Sequence, residues 1–443
     1  MRILIVSLFA EANNFSSSAQ NTRFLASTLL DRGHEIRVVC GSEHEGDVWQ
    51  DGYLLTRIPV NSPDHKKAWL GKWNSDAYIK EQAEPYFQEW HPDLIYVGAW
   101  NGLIDFPLLG SKLGIPIVQM VHDYSILCLQ IWLQDSWGQL CSGPKSIEKC
   151  SACIQNSLGW KDQIKNQILS LPIFGNILRN ILRKAHPYNI HVDSAVTKSL
   201  SFMENYRQKV NFFIAQSPMV KQKLSEYGVS KENIRLLPQF IGEEKLTQYS
   251  RSAGIPGEDR PLYILFIGRW TKLKGSKLLL DAYSESQLAL PTELWVITRS
   301  VKQNPLSNID LEKLADNKAI KFFTNLSGAD VSRKIAKADL CVVPSTMMEL
   351  ASRVVLEAMA QKVPVIASSS VGNNYLINNG KNGRVFQTGD KDALKLCLEE
   401  ISGNPAQLHE WSRNLLVPIS KENWAEKINT IFNEALTNAE RFV

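Results

Sequence analysis

The stretch Ala338–Ser368, ADLCVVPSTMMELASRVVLEAMAQKVPVIAS, decides how the rest of the chain is read. Leu340–Val343 is a short apolar run, as expected of a parallel strand buried on both faces. Pro344 and Ser345 end it, and a loop follows over Thr346–Ser352. Arg353–Gln361 then sets Val354, Val355, Ala358 and Met359 on one helical face. Val363–Ala367 is the next apolar strand. A β-α-β unit of this kind opens its ligand crevice at the carboxyl ends of the strands and the start of the helix. Glu349 lies in the loop and Glu357 on the helix, with seven residues between them. Both can reach one crevice, with the helix N-terminus between them. That arrangement suits a sugar hydroxyl, a ribose and a phosphate together. Taken alone, the same spacing also describes two solvated carboxylates at a helix rim.

A length of 443 residues points to two or three domains with ample core. Hydrophobic content of 44% and charged content of 21% are ordinary for a globular protein. The net charge of +4 makes no case for nucleic acid as a partner. The start, MRILIVSLFA, reads as a first buried strand and not as a secretory signal. Its apolar run is short, and Glu11, Asn13 and Asn14 follow at once. No uninterrupted apolar run is long enough to span a bilayer. Seven cysteines, an odd number, suit a reducing compartment, so a cytoplasmic location is expected.

In the N-terminal half, strands are expected at Ile3–Phe9, Ile36–Cys40, Asp93–Val97, Ile117–Val121 and Phe212–Ala215. A helix over Gln20–Asp31 precedes Gly33, a natural C-cap residue. His34, in the turn Arg32-Gly33-His34-Glu35, is read as structural. His122 and Asp123 end the Ile117–Val121 strand, where α/β enzymes place active residues. In the C-terminal half, strands are expected at Leu262–Gly268, Glu293–Thr298 and Ile320–Phe323. Arg269, Lys274 and Gly275 follow the first of these, at the start of a helix over Gly275–Tyr283. Two fixed cations beside a helix N-terminus would stabilise a departing diphosphate.

These features together make the chain resemble the retaining family-4 glycosyltransferases of the two-domain GT-B fold. The resemblance rests on Glu349 and Glu357 at their spacing, the LEAM run Leu356–Met359, the PVIAS run Pro364–Ser368, and Arg269 with Lys274-Gly275. It implies an α/β architecture of two facing Rossmann-like domains with parallel sheets and an interdomain cleft. The acceptor-side domain would span 1–241 and the nucleotide-sugar domain 260–416, with a polar hinge over Gly242–Asp259. A C-terminal helix in 417–443 would return to the N-domain. By the same resemblance Glu349 contacts the donor sugar, and Glu357, with Val354 beside it, holds the nucleotide ribose. Arg269 and Lys274 bind the diphosphate, and His122 faces the sugar near its reacting carbon.

The implied reaction transfers a hexose-type sugar, with retention, to a saccharide or lipid-linked acceptor in polysaccharide or glycolipid assembly. It needs no catalytic metal and no protein nucleophile. A UDP-sugar is the first-choice donor and a GDP-sugar the second. A catalytically silent nucleotide-sugar-binding subunit, or another GT-B enzyme such as a sugar-nucleotide epimerase, remains the alternative. The chain departs from the family pattern in three places. Asn13–Ser18 replaces a glycine pair, Val371-Gly372-Asn373-Asn374 replaces a Gly-Gly loop, and Tyr375 stands where glutamate is common.

Two inserts stand apart. Segment 124–155 reads as a loop carrying Cys128, Cys141, Cys150 and Cys153. The last pair, Cys-Ser-Ala-Cys, has the gap of a zinc knuckle, so the four could hold a structural zinc or could be buried thiols. Segment 158–191 places Lys161, Lys165, Arg179, Arg183 and Lys184 against the single acid Asp162. Its apolar residues recur at helical spacing. A basic amphipathic pair of helices can lie on the anionic inner face of a membrane, or can be an ordinary surface pair.

Overall fold

The computed structural model describes residues 1–12, 17–60, 76–99, 102–157, 190–242, 256–257, 259–299 and 317–440. The basic run 158–189, the loop residues 13–16 and most of the expected hinge, 243–255, lie outside the described residues. The chain divides into two compact units. One comprises Met1–Gln216, Val220–Leu237 and Ala425–Val443, and the other Ser217–Met219 and Pro238–Trp424.

The first unit is built on strands β1 (Arg2–Val6), β2 (Glu35–Ser42), β3 (Gly46–Gln50), β4 (Tyr53–Pro59), β5 (Leu94–Val97), β6 (Ile117–Met120), β7 (Phe212–Ala215) and β8 (Ile234–Leu236). They form one sheet in the order β3-β4-β2-β1-β5-β6-β7-β8. All neighbours are parallel except β3 and β4. Helix α1 (Ser17–Leu30) links β1 to β2 and ends before Gly33, which sits at φ +77°. The expected strands are present within a few residues. The β3–β4 hairpin and β8 are additions. Asp51-Gly52, both at positive φ, is the two-residue turn that a tight hairpin requires. The hairpin escaped notice because β3 shows no inward face, and its Trp49 is 75% exposed.

Helix α2 (Asp105–Lys112) follows β5, and helices α3 (Ile147–Ser157) and α4 (Ile190–Arg207) lie between β6 and β7. The region expected to be all loop at 124–155 therefore ends in a helix, and that helix carries Cys150 and Cys153. His34 is structural as expected, its Nε2 lying 2.9 Å from Asn429 Oδ1. Asn429 belongs to the last helix of the chain, Lys421–Glu440, whose Phe432 also packs on Tyr96 and whose Glu434 pairs with Arg235 at 2.7 Å.

The second unit is a six-stranded parallel sheet. Its strands are β9 (Leu262–Ile267), β10 (Thr292–Thr298), β11 (Ile320–Thr324), β12 (Leu340–Val343), β13 (Val365–Ser368) and β14 (Gly383–Phe386). The order β11-β10-β9-β12-β13-β14 is that of a doubly wound sheet, with its switch point between β9 and β12. Successive residues face opposite cores, which is why the strands read as unbroken apolar runs. Ile264, Phe266, Val342 and Ile366 face one core with Leu279 and Leu398. Leu265, Cys341, Val343 and Val365 face the other with Val355, Ala358 and Met359. At the amino end, buried Asp339 receives Arg260 through two bonds of 2.6 and 2.8 Å and the Tyr263 amide at 2.9 Å. This ties β9 to β12 below the switch point.

Above it, the two following loops touch. Gly275 sits at φ +76°, and a β-carbon there would lie 1.9 Å from the Pro344 carbonyl oxygen. Gly275→Ala should therefore lower stability by about 2–5 kcal/mol, from left-handed strain plus overpacking. Gly389→Ala, at φ +80° with no atom within 4 Å, should cost only about 1–2 kcal/mol. Urea unfolding of the two variants measures the difference, and equal losses would remove the close contact as the cause.

Candidate active site

The site of the second unit is made where β9 and β12 release their chains. After β9, Gly268 and Arg269 lead into a short turn over Lys272–Lys274 and then helix α5 (Ser276–Glu285). After β12, Pro344 and Ser345 lead to Glu349. Lys274 Nζ lies 2.8 Å from Glu349 Oε1, with side chains 26% and 6% exposed. The Ser345 hydroxyl donates to the same Glu349 oxygen. Ser368 and Ser370 in turn donate to the Ser345 carbonyl at 2.6 and 3.0 Å. A buried carboxylate is costly unless it is paired and hydrogen-bonded, and here it is both.

The loop after β13 completes the frame. The Glu349 amide donates to Ser370 O at 2.9 Å, and the Gly372 amide donates to Glu349 O at 2.9 Å. A β-carbon at Gly372 would lie 1.8 Å from Leu350 O, so the one glycine kept in the altered 371–374 loop is required by close approach. Asn373 accepts from the Ser352 amide and donates to the Ser352 carbonyl, both at 2.9 Å. Ser352 is the residue before helix α7 (Arg353–Ala360; α6 is Gly328–Lys337), so Asn373 fixes where that helix begins. Glu357 is buried on α7 with Arg353 Nε 3.8 Å away, while Val354 is half-buried.

The structure thus joins Lys274 and Glu349 directly and sets Arg269, Val354 and Glu357 on the loops and helix of the same strand ends. Arg269 is exposed, whereas Lys274 is half-buried because Glu349 draws it in. Ser345, Ser370 and Asn373 were missed by sequence reasoning. A serine one proline beyond a buried strand was the available signal for Ser345. Asn373 had none, since its bond partner is 21 residues away.

In the first unit, His122 and Asp123 follow β6, just past its last residue Met120 and Val121. The Ser125 amide donates to Asp123 Oδ1 at 2.8 Å, and Gln216 Nε2 lies 3.4 Å from His122 Nδ1. A small recess of about 10 Å³ there is lined by Gly98, Ala99, Gln119 and His122 among others, room for about one water. Burial pushes the His122 pKa down to about 4, against a smaller opposing pull from Asp123. At neutral pH the ring is an uncharged donor and acceptor.

Cys128, Cys141, Cys150 and Cys153 are free thiols that line one cavity of about 270 Å³. Among the described residues no three His, Cys, Asp or Glu side chains stand at a common metal-binding geometry. Also among them, no helix is long and apolar enough to cross a membrane.

Two units of this topology define the GT-B fold. Residues 250–435 match the family model described as glycosyl transferases group 1. The chain is 25% identical to the lipopolysaccharide core biosynthesis glycosyltransferase LpsE of Rhizobium meliloti over 44% of its own length and 55% of that protein. It is 29% identical to the sulfoquinovosyl transferase SQD2 of Arabidopsis thaliana over 38% of its length and 30% of that protein. It thus spans about half the length, or less, of these curated relatives. Sucrose-phosphate synthase from Thermosynechococcus elongatus superposes with a TM-score of 0.65 at 16% identity, covering 99% of both chains. Anabaena Alr3699/HepE in complex with UDP and glucose superposes with a TM-score of 0.61 at 15% identity, covering 98% of this chain and 100% of that one.

The His122 shift fixes a pH response. The unfolded chain binds more protons than the folded one between pH about 4 and the ordinary histidine value of 6.5. Stability from this group is therefore complete above pH 6.5 and is lost as pH falls toward 4, by about 1.4 kcal/mol per unit at the steepest. Burial also pushes His34 down, with the same sign. Urea midpoints taken across this window should fall less steeply for His122→Asn than for the wild type. Parallel curves would mean that His122 is not the group responsible.

Proposed function

We propose that the protein is a glycosyltransferase that moves a hexose-type sugar from a nucleoside-diphosphate donor to an acceptor hydroxyl with retained configuration. The observation that carries this is the Lys274–Glu349 pair, preset at the switch point of a doubly wound sheet beside Arg269. Support comes also from the match of residues 250–435 to the group 1 glycosyl transferases. Open α/β sheets bind their ligands outside the strand ends at such a point.

In this reading Arg269 and Lys274 hold the donor diphosphate and stabilise the charge it gains as the glycosidic bond breaks. Glu349 accepts from hydroxyls of the transferred sugar. Glu357, with Val354 packing beside it, accepts from the ribose. His122, as a neutral ring, hydrogen-bonds the sugar. The acceptor hydroxyl attacks from the face the diphosphate leaves, and a phosphate oxygen takes its proton. Catalysis is then positioning plus electrostatics. The donor is a UDP-sugar ahead of a GDP-sugar. The acceptor is a saccharide or lipid-linked saccharide in glycan assembly. A peripheral site on an anionic membrane surface belongs to this proposal through Lys161, Lys165, Arg179 and Arg183. Reversing these four to Glu should abolish binding to anionic vesicles, at about 1 kcal/mol per basic residue.

A catalytically silent nucleotide-sugar-binding subunit is the second reading. It draws on Tyr375, 42% exposed where the family has a glutamate. Slow hydrolysis of the donor by the purified chain separates the two. Matching UDP, GDP and ADP by thermal shift names the base, since a ligand at 100 times its Kd adds about 2.7 kcal/mol.

The two diphosphate cations should behave differently on substitution. Arg269→Ala should lower turnover by about tenfold to a thousandfold with little change in stability. Lys274→Ala should lower turnover similarly and also cost about 1–3 kcal/mol, because Glu349 stays buried without its cation. Normal turnover in both would remove the diphosphate assignment.

The two glutamates should divide the donor. In calorimetric titrations, Glu357→Ala should weaken the free nucleoside diphosphate by more than about tenfold. Glu349→Ala should leave that affinity nearly unchanged while weakening the intact donor. Equal losses of nucleotide affinity in both variants would refute the division.

A further inference from the structure

Sheet register brings a glutamine to the histidine that follows β6. Met120 pairs with Ile214, and the Val121 amide donates to Ile214 O at 3.1 Å. Two residues further along each chain stand His122 and Gln216. Neither lies in a strand, yet the parallel ladder beneath them sets them side by side. Gln216 is 3% exposed, so its side chain has few ways to turn. Its Nε2 donates to Val121 O at 2.8 Å and lies 3.4 Å from His122 Nδ1.

Those two distances determine where the imidazole carries its proton. A carbonyl oxygen can only accept, so the Gln216 atom beside Val121 O is the amide nitrogen and not the amide oxygen. The same nitrogen, which can only donate, is what His122 Nδ1 meets. Were Nδ1 protonated, two donors would face each other there. Nδ1 is therefore the accepting nitrogen, and the single proton of the neutral ring sits on Nε2. The neighbouring carboxylate does not take this place, since Asp123 Oδ1 accepts from the Ser125 amide at 2.8 Å. An uncharged donor beside Nδ1 also opposes a second proton on the ring, in the same direction as burial. Among the described residues nothing bonds His122 Nε2, and the residue is half-buried. The protonated edge of the ring is thus left for a ligand.

We propose that Gln216 is a positioning residue for His122, holding the ring as the Nε2–H tautomer so that it donates to a ligand oxygen and does not act as a general base. The proposal rests on the reading in which His122 faces the transferred sugar, and it deepens that reading by naming the atom that makes the contact. A histidine with a carboxylate at Nδ1 would behave in the opposite way. Its Nδ1–H would donate to the acid, and a bare Nε2 would take protons. Here the Nε2 lone pair is already occupied by a proton, so His122 suits a sugar oxygen acting as acceptor. The proton of the attacking hydroxyl then has to leave by another group, as the phosphate oxygen in the proposed reaction provides.

The test is made on the full chain without nucleotide, labelled with ¹⁵N in its histidine rings. Long-range ¹H–¹⁵N correlation spectra separate protonated from bare ring nitrogens for the eight histidines, and His122→Asn identifies the set that belongs to His122. At neutral pH its Nδ1 should be bare and its Nε2 protonated, and the ring should stay neutral well below the ordinary histidine value of 6.5. Gln216→Glu sets an anionic acceptor beside the ring. It should move the proton to Nδ1 and raise the pKa of the ring by about one unit or more. Gln216→Leu, close in size and without a donor, should leave both tautomers populated. A wild-type ring protonated on Nδ1, or charged at neutral pH, overturns the proposal. So does a tautomer that neither substitution changes. The wild-type spectrum decides the matter even if a variant fails to fold. Since no donor is present in these spectra, a failure here is distinct from a failure of the donor-site reading, which the titrations of the Glu349 and Glu357 variants test.

Discussion

The close approach of Gly275 to the Pro344 carbonyl is the constraint on which the second unit's site depends. A side chain of any kind at 275 would push the loop after β9 away from the loop after β12. Only with the two loops in contact does Lys274, one residue earlier, come within 2.8 Å of Glu349. Left-handed backbone at 275 also turns the chain into α5, so one glycine sets both the cation and the helix start. The Arg260–Asp339 bonds at the other end of the same two strands hold their register from below. The switch point is thus pinned at both ends by contacts made outside the sheet itself.

That geometry explains why an ionic pair is tolerated so deep in the site. Removing two charges from water is costly, and their attraction repays it only with good geometry and further hydrogen bonds. Glu349 has those through Ser345, and Ser345 is itself held by Ser368 and Ser370. Three consecutive loops of the sheet therefore share one polar network. In the proposed function the pair does more than neutralise itself. It keeps a cation and a carboxylate at fixed spacing where a diphosphate and a sugar must sit side by side, so little reorganisation is left for the reaction.

Much of this was legible because buried parallel strands announce themselves. Leu340–Val343 and Phe212–Ala215 begin and end where their apolar runs do. The pairing of Lys274 with Glu349 was not legible, since residues 75 apart meet only through the strand order. The half-burial of Lys274 was not legible for the same reason. Sequence placed it at a loop, where lysines are usually solvated, and the buried carboxylate is what draws it in. Asn373 shows the limit most sharply. Its side chain closes two bonds on Ser352, yet locally it is one of two asparagines in a polar turn. Edge strand β3 went unread because a strand with no buried face has no alternation to detect.

The first unit poses the same positional problem, with a long loop in place of a short one after its strand. His122 follows a strand, but the chain beyond it runs through Tyr124, Ser125 and Cys128 before a helix begins at Ile147. A few contacts steady this stretch, such as Arg207 reaching Ile126 O at 2.8 Å and Cys128 N bonding Tyr124 O at 2.7 Å. A long loop lacking its own core loses entropy on ordering that such contacts recover only in part. The Tyr124 amide also donates to Ile131 O at 3.0 Å, which folds the stretch back on itself directly after His122 and Asp123. The direction in which His122 faces is thus set by the loop that follows its strand, as the place of Lys274 in the second unit is set by the loop after β9.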